Sequence, residues 1–485
     1  MAVMNVYIGI DVGTTSVKAV AIDKNGKKLA SGKASYELHA DGARVTQSAL
    51  DWWRAICESV RAAVDEAKKL YGNVKVAAIS TSAQGGSTTA LGDDGKPMIE
   101  AMTWMDKRAT LEREELNAHF GVDFFYSKFG WVLQPSSDAS KLLWLKKNDP
   151  ELYGAATCFP STLGYVNYCL TGKLAEDPTC AAIRRLYDFS AEKFDGEILN
   201  YLELSEDKLP ETLPSASFIG NLTKDAADAL GLDTDVKVYN GAHDQYCASI
   251  GSGITSSGEL LLATGTAWVL FGVTEEPLFS ESRISPCRHP AGKYGVLATV
   301  SGIGATLEWF SSLCSTPIPA LDEIAKDRIG KTADLFFRPS ASGTGLLIGN
   351  STGAHVKGLS IGHDKYDIAL ALMEGAAFEA ALVIEEFCKS GMKDLSSITM
   401  SGGASRSALW RQIVANVTGL KLITSAESDS PALGAAIMAA AEGDDAYLAD
   451  LAKATSGADV TLPDKNRDYY KEKYAAYLEW RATQE

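Results

Sequence analysis

The chain alternates short apolar runs that end in small polar residues with longer stretches in which apolar residues recur every four positions. Residues 6–10 and 17–22 are short, rich in β-branched side chains and bounded by turn residues, which predicts two strands. In residues 48–71 the spacing instead predicts an amphipathic helix, with Ser48 as its N-terminal cap. The apolar face of that helix consists of Trp52, Ile56, Val60 and Val64. Strands followed by helices in this way are typical of an α/β fold.

The turn between the first two strands, Gly13-Thr14-Thr15-Ser16, carries three hydroxyl groups and several backbone N–H groups. Converging N–H dipoles in such a turn favour phosphate binding. Asp11 ends the first strand beside it, and its carboxylate would repel a phosphate unless a cation lay between them. Because Mg²⁺ prefers carboxylate, water and phosphate oxygens, the sequence predicts a phosphate loop with magnesium near Asp11. An ordinary hairpin with a polar turn is the alternative.

The second half of the chain begins in the same way as the first. Residues 259–263 predict a strand, Thr264-Gly265-Thr266 forms a polar turn, and a second apolar run follows. This repeat indicates two homologous α/β domains that face each other, each giving one phosphate loop to a common cleft. Residues 251–258 are rich in Gly and Ser, as linkers are, and we predict domains at residues 1–247 and 248–485.

A carboxylate is expected where a third strand meets a helix. Residues 236–240 predict a strand, Gly241 turns out of it, and Asp244 opens the helix that follows. A carboxylate in this position projects into a cleft, with His243 directly before it. The alternative is that Asp244 only caps the helix.

Three polar or aromatic side chains share one face of residues 102–108 if that segment is extended. These are Trp104, Asp106 and Arg108, because side chains alternate with period two along a strand. An aromatic ring beside a carboxylate and a guanidinium suits a polyhydroxylated ligand. The alternative is a surface ion pair beside a buried Trp.

Composition narrows the possible partners. The 485 residues are enough for two domains, and 46% of them are hydrophobic, which supplies sizeable cores. With 46 basic and 62 acidic residues the formal charge is −16, which argues against nucleic acid or an anionic membrane as partner. No signal peptide or membrane-spanning run is visible. The eight cysteines form no C-x-x-C pair, so we expect free thiols, a cytoplasmic protein and a small-molecule ligand, with a homodimer compatible with these features.

In their order along the chain, these landmarks resemble those of the FGGY carbohydrate kinases, which are related to chaperone ATPases and actin. The matching positions are Asp11, Gly13, Thr14, Thr15 and Lys18 in the first loop, residues 141–153 and 170–172 in the N-terminal half, Trp104, Asp106 and Arg108 at the sugar site, residues 241–245 at the catalytic aspartate, residues 264–266 in the second loop, and residues 402–412 with 432–436 at the adenosine end. The resemblance covers nearly the whole chain. It implies two ribonuclease H-like (actin-like ATPase) domains around a central cleft.

The resemblance also implies an activity, the transfer of the γ-phosphate of ATP to a hydroxyl of a ketose, deoxysugar or polyol. Asp244 would be the general base, and Asp11 and Asp244 would hold Mg²⁺. The implied substrate-binding residues are Gln84, Trp104, Asp106, Arg108, His243 and Gln245. The implied nucleotide-binding residues are Gly13, Thr14, Thr15, Ser16, Lys18, Thr264, Gly265, Thr266, Gly402, Gly403, Ala404 and Ser405, whereas Trp268 is expected in the core.

Two segments depart from the family pattern. Where many members have Gly-Gln-Met-His-Gly over the sugar, residues 83–87 read Ala-Gln-Gly-Gly-Ser, so Gly85 and Gly86 replace two bulky side chains. An emptied site discriminates weakly by shape, and we therefore expect that D-xylulose is not the best substrate and that a bulkier or differently oriented polyol or ketose is preferred. Where several members have Gly-Glu-Arg-Thr-Pro, residues 349–353 read Gly-Asn-Ser-Thr-Gly.

Other functions are compatible with parts of the pattern. A chaperone-like or other ATPase of the same superfamily would share the loops but need neither Asp244 nor the 104–108 face. A catalytically weak protein that binds ATP and sugar without turnover is a further alternative. Residues 349–353 also fit the G-x-S-x-G pattern of serine hydrolases, but residues 354–358 are poor helix formers where that pattern needs a helix.

Overall fold

The computed structural model describes residues 3–339, 353–424, 429–455, 457 and 459–484. The strands are β1 (Met4–Val12), β2 (Ser16–Ile22), β3 (Lys28–Ser35), β4 (His39–Asp41), β5 (Arg44–Gln47), β6 (Val74–Ala83), β7 (Ala101–Met102), β8 (Ala175–Glu176), β9 (Tyr187–Asp188), β10 (Lys193–Phe194), β11 (Glu211–Thr212), β12 (Phe218–Asn221), β13 (Lys237–Tyr239), β14 (Ala242–His243), β15 (Glu259–Thr264), β16 (Trp268–Thr274), β17 (Ser285–Arg288), β18 (Tyr294–Ser301), β19 (Phe336–Arg338), β20 (His355–Lys357), β21 (Ser397–Gly402), β22 (Lys421–Thr424) and β23 (Asp459–Thr461).

The helices are α1 (Ala49–Tyr71), α2 (Thr110–Phe120), α3 (Val122–Phe129), α4 (Asp138–Asn148), α5 (Pro150–Ala155), α6 (Thr162–Thr171), α7 (Pro178–Ile183), α8 (Gly196–Leu202), α9 (Lys224–Leu230), α10 (Asp244–Gly251), α11 (Ile303–Leu313), α12 (Ile318–Ala325), α13 (Lys365–Lys389), α14 (Ala408–Thr418), α15 (Ser430–Ala441), α16 (Asp445–Thr455) and α17 (Arg467–Ala482). Within the ranges that the structure describes, no helix is both long enough and apolar enough to cross a membrane.

The chain forms two compact units that are interleaved along the sequence. The first comprises Met1–Thr255, Pro286–Tyr294 and Asp429–Thr455, and the second comprises the remaining segments from Ser256 to Glu485. Two stretches that follow the first 255 residues thus fold with them. The predicted division at 247/248 stays a prediction about domains, since compactness alone does not define homologous halves.

The first unit is built on a sheet with the strand order β12-β13-β6-β1-β2-β3, in which β14 also pairs with β6. The strand β1 is antiparallel to β2 and parallel to β6, and β14 is parallel to β6. The register places Asp11 of β1 beside Ser82 of β6, and His243 of β14 beside Ala83. The carboxyl ends of three parallel strands therefore meet at one edge, where α/β sheets place their ligands.

Helices bury the faces of this sheet. Ser48 caps α1 by accepting a hydrogen bond from the Asp51 amide at 3.2 Å. The predicted apolar face of α1, from Trp52 to Val64, is almost completely buried. Both the predicted cap and the predicted face of this helix are confirmed.

The small-residue helix α15 packs on the sheet and on α10 at backbone distance. A Cβ added to Gly9 in β1 would overlap the carbonyl oxygen of Ala432, and one added to Gly251 in α10 would lie 2.8 Å from the amide nitrogen of Gly434. Only glycine permits these approaches, because any side chain would meet main-chain atoms that have no room to move. The predicted close packing of this helix is confirmed.

The second unit contains a sheet in which β18, β16, β15, β21, β22 and β23 are neighbours in that order. The strands β15 and β16 are antiparallel and joined by the predicted polar turn, and β15 is parallel to β21 with Thr264 beside Gly402. The long helix α13 lies in its core and buries most of its residues. Each unit thus repeats the order strand, polar turn, strand, as predicted.

One local prediction is wrong. Residues 102–108 do not continue as a strand, because β7 ends at Met102 and a turn follows at Trp104 and Met105. Consequently Trp104 is 47% exposed, whereas Asp106 is completely buried, and the two side chains do not share a face. The G-x-S-x-G segment lies outside the described residues except for Gly353.

Candidate active site

The carbonyl groups of the first polar turn are hydrogen-bonded to the rest of the first unit, which leaves amides of the turn pointing away from it. The carbonyl of Gly13 accepts from the Tyr36 hydroxyl, that of Thr14 accepts from Gln47 Nε2, and that of Thr15 accepts from the Tyr36 amide at 3.2 Å. In a trans peptide the C=O and the following N–H point in opposite directions. The amides of Thr14 and Thr15 are therefore directed outward, which is the arrangement a phosphate loop requires.

Gln47 is the centre of a buried network that the sequence analysis missed. Its Oε1 accepts from Trp52 Nε1 at 3.1 Å and from Gln84 Nε2 at 2.7 Å, while its own amide reaches Thr14. The predicted substrate residue Gln84 is thereby linked to the first polar turn. Its Oε1 is buried with no hydrogen-bond partner in the described part of the chain, so it is available to a ligand hydroxyl.

The carboxylate of Asp11 lies beside the loop and is electrostatically coupled to Asp244. Ser82 donates a hydrogen bond of 2.8 Å to Asp11 Oδ1. Burial, and then the negative charge of Asp244, raises the pKa of Asp11 to about 7, against the smaller opposing effects of Ser82 and Lys18. A cation beside Asp11 would favour its charged form and oppose this shift.

Asp244 opens α10, and His243 of β14 precedes it. The imidazole Nε2 of His243 lies 3.3 Å from Asp244 Oδ1, and the Asp244 side chain keeps 28% of its surface exposed. The positive end of a helix favours a negative charge at its first residue. Asp244 thus opens the helix, as predicted, and its partly exposed carboxylate lies at the carboxyl edge of the sheet.

The space over Gly85 is filled, contrary to the expectation of an emptied site. A Cβ at Gly85 would lie 2.8 Å from His243 Nε2 and 2.8 Å from Ile183 Cδ1. The imidazole of His243 therefore occupies the position that a side chain at residue 85 would take. Gly86 is therefore the one position of the two where the missing side chain leaves space. A Cβ there would lie 3.5 Å from Trp104 Cβ.

Trp104 extends its half-exposed ring over the first loop. Its Nε1 lies 3.3 Å from Thr14 Oγ1. The buried ammonium of Lys141 donates to the carbonyls of Gly86 at 2.7 Å and Met102 at 3.0 Å, which fixes the two segments on either side of the ring. Lys141 was recognised only as part of a family segment, and its positioning role was missed.

Asp106 and Arg108 are engaged with each other. Arg108 Nε is 2.9 Å from Asp106 Oδ1 and Nη2 is 2.7 Å from Oδ2, and the Val45 amide donates to Oδ2 at 2.9 Å. The Arg108 guanidinium lies 5.1 Å from the ring centre of Trp144. The alternative interpretation was a surface ion pair beside a buried Trp104. The structure shows the opposite, because Asp106 is buried and Trp104 is exposed.

Lys18, which was assigned to the first loop, lies in β2 and is held by an ion pair. Its ammonium lies 3.0 Å from Asp429 Oδ1, and Lys28 lies 3.2 Å from Oδ2 of the same carboxylate. Both lysines lower the pKa of Asp429 through hydrogen bonds and charge, against the raising effect of burial. Asp429 directly precedes α15, so the ion pair joins β2 to that helix.

The predicted nucleotide residues of the second unit lie together. The Thr264 hydroxyl donates to the Ser401 carbonyl at 2.5 Å and accepts from the Ala404 amide at 3.1 Å. The Gly403 amide donates to the Thr264 carbonyl at 3.0 Å. Gly402 has a φ of +90°, a conformation that glycine favours. The second polar turn and residues 402–405 are thus one structural feature.

Trp268 lies in the core, as expected. It is 1% exposed, and its ring centre lies 4.9 Å from that of Trp410. Of the eight cysteines, which all fall in the described ranges, every one is a free thiol.

The donor set near Asp11 fits Mg²⁺ better than a metal that needs many protein ligands. Within the described residues no cluster of three or more His, Cys, Asp or Glu side chains is placed to hold a metal. One or two carboxylates beside a turn that presents outward amides suffice for Mg²⁺, because this ion keeps several waters and takes phosphate oxygens as further ligands. Asp11 and Asp244 are the residues that fit.

Comparison with known proteins agrees with this arrangement. Residues 6–251 match the family model described as "FGGY family of carbohydrate kinases, N-terminal domain", and residues 260–442 match the corresponding C-terminal domain. The chain is 27% identical over 451 residues to a protein named xylulose kinase from Staphylococcus xylosus. The matched region covers 90% of this chain and 91% of the relative. It is also similar to a ligand-bound xylulose kinase and to a gluconate kinase from Lactobacillus acidophilus, each with a TM-score of 0.90, 25% identity and coverage of 99% of this chain and 98% of that chain.

Proposed function

Because this chain belongs to the FGGY family of carbohydrate kinases, we propose that it transfers the γ-phosphoryl group of ATP to a hydroxyl of a ketose, deoxysugar or polyol. The observation that carries the proposal is the placement of Asp11 and Asp244 at one edge of the sheet, since Asp11 pairs with Ser82 of β6, His243 pairs with the adjacent Ala83, and Asp244 follows directly. An accessible carboxylate for proton transfer and a second one for a cation are what phosphoryl transfer to an alcohol needs.

Asp244 is the proposed general base. It accepts the proton of the acceptor hydroxyl at one carboxylate oxygen, from its position as the first residue of α10. A serine, threonine or lysine at this position could not accept that proton in the same way. The partial exposure of Asp244 leaves room for a substrate hydroxyl to reach it.

Other residues bind and orient the reactants in this proposal. The outward amides of Thr14 and Thr15 bind phosphate oxygens, and Thr264 with residues 402–405 contributes to nucleotide binding in the second unit. Gln84 and Trp104 contact the sugar. When bound, Mg²⁺ would neutralise phosphate charge. Asp11 is the residue that would hold it, whereas Asp244, the second carboxylate predicted to do so, is the proposed base.

A panel assay tests the proposal. Release of ADP is coupled to an optical readout in the presence of Mg²⁺, with D-xylulose, L-xylulose, other ketoses, deoxysugars, polyols and gluconate as acceptors. We expect at least one acceptor to raise ADP release far above the rate without sugar. Equal rates with and without every acceptor would instead indicate an ATPase, and binding of ATP and sugar without ADP release would indicate a protein that does not turn over.

The panel also tests the preference among acceptors. The sequence-based prediction that D-xylulose is not the best substrate now rests on Gly86 alone, since the imidazole of His243 fills the space over Gly85. The highest kcat/KM on D-xylulose would make that prediction wrong without affecting the proposed activity.

A further inference from the structure

We infer that His243 positions the carboxylate of Asp244. We also infer that residue 85 must be glycine because the imidazole of His243 occupies the space that a side chain there would need. The inference rests on the proposed function of Asp244 as the base. It differs from the sequence prediction, which placed His243 among the residues that bind the substrate.

The main chain of His243 is held by hydrogen bonds to residues at the start of α7. Its amide donates to Thr179 Oγ1 at 2.9 Å. The Thr179 hydroxyl donates in turn to the buried carboxylate of Asp177, 2.8 Å away, and that carboxylate also accepts from the Cys180 amide at 2.9 Å. The residue before Asp244 is thus anchored to the start of α7 by a chain of buried hydrogen bonds.

The imidazole ring lies in the space that the missing side chain of Gly85 leaves free. A Cβ at Gly85 would lie 2.8 Å from His243 Nε2, closer than nonbonded carbon and nitrogen atoms approach. Ile183 Cδ1 would lie 2.8 Å from the same added atom. His243 is only 7% exposed, so the ring is buried and an added side chain at residue 85 would have to displace it.

The two ring nitrogens have different surroundings. Nδ1 is buried without a hydrogen-bond partner among the described residues, whereas Nε2 lies 3.3 Å from Asp244 Oδ1. A hydrogen on Nδ1 in a singly protonated ring would be buried without an acceptor, which is unfavourable. In either protonation state of the ring, Nε2 therefore carries a hydrogen that is directed at Asp244.

These contacts give His243 one role. Its Nε2–H holds one oxygen of Asp244, which leaves the other oxygen oriented toward the acceptor hydroxyl. A residue that orients the base changes kcat, whereas a residue that binds the sugar changes KM. A misplacement of a catalytic group by about 1 Å can reduce the rate by about 10²-fold.

Two amide variants test the role of Nε2. In His243→Gln the side-chain nitrogen can reach the position of Nε2, and in His243→Asn it lies nearer to the position of Nδ1. We expect His243→Ala and His243→Asn to lower kcat by about 10²-fold with KM for the sugar little changed, and His243→Gln to recover much of the loss. Equal activity of the Gln and Asn variants, or a rise in KM with unchanged kcat, would overturn the inference.

A double-mutant cycle tests the partnership with Gly85. We expect Gly85→Ala to lower kcat and the melting temperature of the wild-type protein, but to lower both much less in the His243→Ala background, where only the flexible end of Ile183 still meets the added atom. Gly154→Ala is the matched control, because a Cβ there meets no atom within 4 Å. The same loss of melting temperature in both backgrounds would refute the partnership. Because this readout needs no turnover, it stands even if the wild-type protein phosphorylates no acceptor, a result that would reject the proposed function instead.

Discussion

The main chain of Gly9, in the strand that carries Asp11, lies directly against the main chain of Ala432. A Cβ at Gly9 would overlap the Ala432 carbonyl oxygen and stand 2.9 Å from the Cα of Ala436. The helix α15, more than 400 residues further along the chain, therefore supports the strand that leads into the first polar turn. The site in the first unit depends on a segment from the end of the sequence.

The contact between Gly9 and α15 predicts a steep penalty for the smallest possible side chain. Gly9→Ala should lower the free energy of unfolding by about 3 kcal/mol or more, because strand or helix must move to relieve the overlap. Gly154→Ala, where a Cβ meets no atom within 4 Å, should change it by less than about 1 kcal/mol. Thermal melts of the two variants measure this, and equal melting temperatures would contradict the packing described.

Gln47 is predicted to support both the loop and Gln84. Gln47→Ala removes the partner of a half-buried carbonyl on Thr14 and of two buried groups on Trp52 and Gln84, and each buried group costs about 1–3 kcal/mol when left unbonded. We expect a lower melting temperature and a higher KM for ATP. Gln134→Ala, at an exposed position, is the control and should change neither. A normal KM in the Gln47 variant would show that the loop keeps its shape without this network.

Much of this site follows from local sequence patterns, because those patterns report what lies within a few residues. The strands around Asp11, the two polar turns and the capped helix after Ser48 all have such local signals, and the structure contains each of them. The order of the landmarks then indicates the fold through the family resemblance.

The contacts that were missed join residues far apart in sequence. A buried Gln47, a Lys141 that binds two distant carbonyls and a Gly85 that accommodates His243 have no periodicity to reveal them. The period-two prediction for residues 102–108 failed because a single turn at Trp104 and Met105 changes which side chains share a face. Periodicity indicates that a face is buried but not which residues cover it.

A variant of Arg108 tests whether this residue stabilises the fold or binds the substrate. Arg108→Ala leaves the Asp106 carboxylate buried without its ion-pair partner, and we expect a loss of about 3–5 kcal/mol in stability with little change in the KM of the folded protein. Arg54→Ala, which removes exposed pairs on α1, is the control and should cost less than about 1 kcal/mol. An unchanged melting temperature with a raised KM would place Arg108 on the substrate.

His289 predicts a loss of stability in acid. Burial, and then the charge of Lys293, lowers the pKa of His289 from 6.5 to about 3. Between these values the unfolded chain binds a proton that the folded chain does not. Stability is therefore full above pH 6.5 and falls as the pH decreases toward 3.

At pH 4.5 this single group should reduce stability by about 2–3 kcal/mol relative to pH 7.5. Because His289 lies 2.8 Å from Ser249 in α10, the helix that begins at Asp244 is affected directly. Melting temperatures of His289→Gln should fall less over this range than those of the wild-type protein, whereas His119→Gln, at an exposed position, should follow the wild type. Parallel pH profiles of the His289 variant and the wild type would contradict the prediction.

The most direct test of the account is the activity of Asp244→Asn on the best acceptor of the panel. Asparagine keeps the size of the side chain but cannot accept a proton, so kcat should fall by about 10²–10⁴-fold while ATP and sugar still bind and the melting temperature stays close to that of the wild type. Asp235→Asn, which alters an exposed ion pair, should retain full activity. Full activity of Asp244→Asn would contradict the assignment of Asp244 as the base, and a much lower melting temperature with activity per folded molecule preserved would make it a structural cap.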